Sequence, residues 1–269
     1  MPAFQSEPGM PYWIDLTTSQ MDVSTQFYEK IFGWEIEKIS SDYRLARLQG
    51  LPVAGFVERP EQSQQPDTWV TYFQAGDIAR SVAHVEELSG QVLTSPRSVK
   101  LGSVALLVDP TGALFGLVEP EGEDSFIAAG EPGTPVWHEL TATKDFDAAL
   151  DFYAELFGWA LATSEDHSYA TALIDGSGFA GIYNAREEFP PHIPSFWQTF
   201  LGIKDVDLIR ETVVELGGEI LREPFDSGFG RMMIIADPTG ALVTLCNIDE
   251  PVEEGRESDP LEGFDLPGL

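Results

Sequence analysis

The chain has 269 residues, and 45 acidic against 15 basic side chains leave a formal charge of −30. So few cations leave little material for a basic face, which argues against a role on nucleic-acid phosphates or on anionic lipid. A hydrophobic fraction of 43% with 11% aromatics belongs to a folded chain, and the length allows one large domain or two of roughly 130 residues, each able to bury a core.

The N-terminal MPAFQSEPGMPYW has neither a basic n-region nor an apolar h-region, so no secretory signal is expected and a cytoplasmic location is the expectation. No stretch approaches about 18 consecutive apolar residues, so no membrane span is expected. PYWIDLTT reads as a strand. Residues 20–32 place Met21, Phe27, Ile31 and Phe32 at helical spacing, and Gly33 stops the helix as a left-handed cap. WEIEKI, YRLARL and PVAGFVE read as three short strands. TWVTYFQA is a further strand, and residues 78–88 form a helix ending at Ser89-Gly90. QVLTSPR, SVALLVD and ALFGLVE are strands, with DPTG as the turn before the last.

The chain then repeats itself. WIDLTT at 13–18 matches WHELTAT at 137–143, FYEKIFGWEIE at 27–37 matches FYAELFGWALA at 152–162, and PVAGF at 52–56 matches GFAGI at 178–182. Trp69 pairs with Trp197, Asp77 with Asp205, Gly90 with Gly218, Pro96 with Pro224, and DPTGAL at 109–114 with DPTGAL at 237–242. A match in fixed order over about 110 residues marks an internal duplication. The reading is an α+β chain of four βαβββ units, with a first domain at 10–120, a Pro- and Gly-rich linker at 121–134 and a second domain at 135–248. The acidic tail, 249–269, is rich in Pro and Gly and reads as mobile or as draping over a surface through Leu261, Phe264 and Leu266.

Paired βαβββ units, with FY…FGW after the first helix and DPTG before the last strand, resemble the vicinal oxygen chelate superfamily, which includes glyoxalase I, bleomycin-resistance proteins and extradiol dioxygenases. The resemblance covers about 13–119 and 136–247. It implies that each pair of units forms an open, eight-stranded, barrel-like sheet around a cavity, with helices outside. Four units in one chain make a monomer or a homodimer the expectation. The resemblance also implies one divalent metal in catalytic members, held by His, Gln or Glu from the first strand of each unit and from the end of the last strand.

The ligand positions counted from these motifs fall on Trp13, Val70 and Gly116 in the first copy, and on Trp137 or His138, Gln198 and Thr244 in the second. The second copy has one extra residue between the strand and FY, and the loop near Lys144 is its natural place. Both first strands share Trp-x-acid-Leu, so alternation puts Trp137 in the cavity and turns His138 toward the helices. His138 and Gln198 are the metal alternative; no cofactor is the main reading.

What stands in place of a metal set is a Trp and an acid two residues on: Trp13 with Asp15, and Trp137 with Glu139. Tyr72 and Phe200 occupy related positions on the fifth strand. Three readings follow: cavity packing, binding of a small aromatic or cationic molecule, and general-base catalysis by Asp15 or Glu139 if burial raises its pKa. The ligand-binding set is therefore Trp13, Asp15, Tyr72, Gly116, Trp137, Glu139, Gln198, Phe200 and Thr244. The expected function is a small-molecule-binding relative of glyoxalase and bleomycin-resistance proteins without the catalytic metal. The alternative is a metal-dependent lyase, isomerase or dioxygenase. Cys246, the single cysteine, excludes an internal disulfide and a Cys-rich zinc site, and reads as a buried small hydrophobe. His84, His167 and His192 read as surface residues. GSGFAG at 176–181, placed before a strand, has no helix N-terminus after it for a phosphate.

Overall fold

The computed structural model describes residues 3–4, 6–59, 65–121 and 127–248; the acidic tail falls outside them. After a two-residue strand β1 (Ala3–Phe4), the first repeat runs β2 (Pro11–Thr18), α1 (Met21–Phe32), β3 (Glu35–Lys38), β4 (Tyr43–Leu48), β5 (Leu51–Glu58), β6 (Thr68–Gln74), α2 (Ile78–Glu87), β7 (Gln91–Val99), β8 (Gly102–Val108) and β9 (Leu114–Pro120). A short β10 (Ile127–Ala128) precedes the second repeat. That repeat comprises β11 (Pro135–Ala142), α3 (Phe146–Phe157), β12 (Ala160–Thr163), β13 (Tyr169–Ile174), β14 (Ser177–Asn184), β15 (Phe196–Ile203), α4 (Val206–Glu215), β16 (Glu219–Ser227), β17 (Gly230–Ala236) and β18 (Leu242–Asn247).

The helix boundaries follow from local chemistry. Gly33 and Gly158 end α1 and α3 in the left-handed region, at φ 70° and 71°, which glycine adopts without a Cβ penalty. Asp77, Asp145 and Asp205 cap the N-termini of α2, α3 and α4 by accepting backbone N–H bonds. The extra residue of the second copy lies between β11 and α3, where residues 143–145 replace the two-residue link 19–20.

Each repeat forms its own eight-stranded mixed sheet, in the order β3-β4-β5-β2-β6-β9-β8-β7 and β12-β13-β14-β11-β15-β18-β17-β16. The first strands of the two units pair antiparallel at the centre: β2 with β6, and β11 with β15. Two details differ from the sequence reading. The linker is not wholly irregular, because β10 pairs with β1. GSGFAG lies largely inside β14, which starts at Ser177, rather than before a strand.

A larger difference concerns the cores. The helix-bearing face of each unit packs on a unit of the other repeat. Ile14, Leu16, Phe27 and Trp34 form one cluster with Leu201, Val213 and Ile235. Phe73, Val85 and Phe115 form another with Leu140, Phe152 and Trp197. The repeats therefore share two cores instead of burying one each. The repeated motifs make the joint. Trp197 Nε1 donates to the Tyr153 hydroxyl at 2.7 Å, and that hydroxyl donates to Asp109 Oδ2 of the first repeat's DPTG turn at 3.0 Å. The other half mirrors this. Trp69 Nε1 donates to Tyr28 at 2.9 Å, and Tyr28 stands beside Asp237 of the second DPTG turn. The indoles of the two FGW motifs donate across as well, Trp34 to the Gly133 carbonyl at 2.7 Å and Trp159 to the Gly9 carbonyl at 2.9 Å. No helix among the described residues is long and apolar enough to cross a membrane.

Candidate functional site

The faces away from the helices carry separate clusters. In repeat one these residues are Tyr12, Trp13, Leu45, Val70, Tyr72 and Val118; in repeat two they are Phe200, Met232 and Cys246, with Val136, Trp137 and Phe225 against them. Strand alternation places Trp and acid on this face in both repeats.

Repeat one is filled. Trp13 Nε1 donates to Asp15 Oδ1 at 2.8 Å and the Tyr43 hydroxyl donates to the same oxygen at 3.1 Å. Burial pushes the Asp15 carboxyl up to about 6, against donors from Trp13, Tyr43 and Tyr72 and the charge of Arg97, which hold it down. Gly55 and Gly116 make this packing possible. A Cβ on Gly55 would stand 2.0 Å from Asp15 Oδ1, and one on Gly116 would stand 2.1 Å from the Tyr72 ring.

Repeat two keeps the same plan with more room. Trp137 Nε1 donates to the Tyr169 hydroxyl at 3.2 Å, which donates to Glu139 Oε2 at 3.0 Å. Trp137, Glu139 and Tyr169 are only half-buried, whereas Trp13 and Asp15 are buried. Burial still pushes the Glu139 carboxyl up to about 7, with the Tyr169 bond opposing. Gln198 faces Glu139 across the β11–β15 pair. Its Nε2 donates to Thr141 Oγ1 at 2.6 Å and its Oε1 accepts from Thr244 Oγ1 at 3.3 Å. Phe200 lies between Trp137 and Thr244 in the strand register. Phe229, in the turn between β16 and β17, stacks near Trp137 with centroids 6.1 Å apart and an interplanar angle of 26°, and is 57% exposed. Arg222 stands 3.5 Å over the Phe225 ring.

His138 is elsewhere. It is buried on the opposite face, and its Nδ1 meets Thr71 Oγ1 of the first repeat at 3.2 Å; Thr71 in turn meets Thr199 Oγ1 at 3.4 Å. Burial pushes the imidazole down to about 3, so it is neutral at ordinary pH. His138 and Gln198 therefore share no site. Among the described residues, no three of His, Cys, Asp and Glu gather as a metal-holding group. Cys246 is buried, and burial pushes its thiol up. His84 pairs with Glu87 and His167 with Asp147 at the surface, and His192 is exposed.

The structure adds residues that sequence reasoning missed. Tyr43 and Tyr169 both touch the acid, and a signal existed: each opens the third strand of its repeat. Phe229 sits in a turn without a counterpart motif, so no signal marked it. The structure also brings Trp13 and Trp137 to one place. Both line an apolar cavity of about 450 Å³ between the repeats, with Met10–Tyr12, Val53, Val136, His138 and the β13–β14 hairpin.

Comparison with known proteins accords with this architecture. CFP32 of Mycobacterium tuberculosis, a protein named as a glyoxylase, is 28% identical over 246 residues, covering 88% of this chain and 94% of the relative. The anthracycline biosynthesis protein DnrV of Streptomyces peucetius is 29% identical over 268 residues, covering 90% and 94%. The crystal structure of the Mn(II)-bound glyoxalase from Novosphingobium aromaticivorans superposes with a TM-score of 0.60 at 14% identity, covering 90% of this chain and 82% of that one. The family model described as Glyoxalase/Bleomycin resistance protein/Dioxygenase superfamily matches residues 12–117 and again 137–245. The chain belongs to that superfamily.

Proposed function

We propose that this protein binds a small, flat, cationic organic molecule on the helix-free face of repeat two, without the divalent ion of catalytic relatives. The observation that carries the reading is the half-buried row Trp137–Tyr169–Glu139, with Phe229 stacked at its mouth. Aromatic walls hold a planar ring by stacking, and one sheltered carboxylate supplies the countercharge. The name of DnrV adds support, since anthracyclines are polycyclic aromatic compounds.

The residues present do not fit a divalent ion. Trp13, Val70 and Gly116 offer no ligand atom, and in repeat two the Gln198 amide is already engaged by Thr141 and Thr244. The alternative, a metal-dependent lyase, isomerase or dioxygenase, needs a donor set that His138 and Gln198, on opposite faces, do not make.

Titration of intrinsic fluorescence with N-methylacridinium, whose charge does not depend on pH, tests the proposal. One saturable site is expected. Its affinity should fall about fivefold in Phe229→Ala and rise about tenfold between pH 6 and pH 8 as Glu139 ionises; Glu139→Gln should flatten that rise. Absence of saturable binding, or binding indifferent to both substitutions, would refute it.

A further inference from the structure

We propose a second ligand site in the cavity between the repeats, for a neutral, largely apolar molecule carrying a hydroxyl or carbonyl oxygen. The site does not rest on the reading of the helix-free face. Its volume of about 450 Å³ falls within the range of small-molecule pockets. Met10, Pro11, Ile14, Val53, Val136 and Phe179 give it apolar walls.

A buried phenol and a buried imidazole break those walls, while Asp175 and Ser177 stand exposed at the lip. Tyr12 is 4% exposed and His138 is 8% exposed, and both line the cavity. Among the described residues, neither the Tyr12 hydroxyl nor His138 Nε2 has a hydrogen-bond partner, although His138 Nδ1 is held by Thr71 at 3.2 Å. Neither atom is sealed from solvent, so each offers the cavity an open hydrogen-bonding position. A phenol and an imidazole on the wall of an apolar cavity therefore mark where a ligand's polar atoms would sit. The chemistry of the walls fixes the class. The lining holds one carboxyl side chain, Asp175, which is exposed, and no Lys or Arg. With no cation in the lining, a carboxylate or phosphate would be buried unpaired, which is costly. The fixed imidazole presents Nε2 as donor or acceptor according to which proton Thr71 shares, so hydroxyl and carbonyl ligands are both served.

The repeat supplies its own control. Ile14 occupies in the first copy the position that His138 holds in the second. Calorimetric titration of the full chain with 2-naphthol, a neutral fused-ring alcohol, is expected to give one saturable site. His138→Ile should weaken it about tenfold and Tyr12→Phe about fivefold, in line with loss of a buried hydrogen bond. Ser177→Trp, on the exposed lip of the cavity, should abolish it while leaving N-methylacridinium binding intact; Phe229→Ala should leave 2-naphthol binding intact while weakening N-methylacridinium about fivefold. Unfolding curves confirm that each variant folds. The proposal is overturned if the wild type shows no saturation at about 1 mM. It is also overturned if Ser177→Trp and His138→Ile bind 2-naphthol as the wild type does, or if Phe229→Ala abolishes that binding.

Discussion

At the scale of single residues, the two acids of the repeat have diverged in surroundings more than in position. Asp15 is enclosed by Trp13, Tyr43 and Tyr72; among the described residues Glu139 accepts from Tyr169 alone, and it is only half-buried. The enclosure has a measurable consequence. Desolvation raises the Asp15 carboxyl to about 6 in the folded chain, so the native state holds this proton more tightly than the unfolded chain does. The resulting stability is complete below about pH 4 and is lost as pH rises through about 6. Between pH 5 and pH 8 the loss is about 1.4 kcal/mol. Asp15→Asn, which cannot ionise, should escape it: urea unfolding of wild type and variant should converge or cross in the variant's favour by about that amount at the higher pH. A pH-independent difference would show that Asp15 is ionised throughout. The Trp–acid pairs were legible because alternation and duplication both marked them. The tyrosines that make Asp15 and Glu139 different environments were written twice in the chain, yet nothing local tied them to the acids.

At the scale of elements, the glycines of β5 and β14 leave the space through which the tyrosines of β4 and β13 reach across to the acids of the first strands. A Cβ on Gly181 would stand 1.9 Å from the Tyr169 hydroxyl and 3.2 Å from Trp137 Nε1. Tyr169 is only half-buried and can swing outward, so Gly181→Ala should cost about 1–2 kcal/mol of stability and break the bond from Tyr169 to Glu139. N-methylacridinium titration of this variant should show weaker binding with a shifted pH dependence. Unchanged binding would mean that Tyr169 does not set the acid. Strand and helix limits were readable from periodicity and Gly33, because these signals act within a few residues; the capping role of Asp77, Asp145 and Asp205 emerged with the structure. The start of β14 was not, because glycine in GSGFAG suggested a loop, while pairing with β11 and β13 on both sides keeps the segment extended.

At the scale of the molecule, duplication was plain in the sequence and the shared cores were not. The motifs FY, FGW and DPTG looked like local punctuation. Their role emerges only across repeats, where Tyr153 reaches Asp109 and Tyr28 faces Asp237. Asp109 also accepts from Thr111 and Ala113 at 2.8–2.9 Å, so Asp109→Ala strips a buried acceptor from donors in both repeats. It should cost about 3 kcal/mol or more. Because the cores are common property, scanning calorimetry should show one cooperative transition that this substitution lowers as a whole. Two transitions, with only one displaced, would contradict the shared cores.

Indole, phenol and carboxylate side chains occupy the helix-free faces of both repeats. The most direct test of the proposed metal-free binding is calorimetric titration of the chelator-treated full chain with Mn(II), Zn(II), Ni(II) and Fe(II) salts. The expected result is no stoichiometric uptake by either repeat, with N-methylacridinium binding unchanged by the treatment. Uptake of about one ion per chain, at micromolar affinity or tighter and lost in Glu139→Ala, would contradict it.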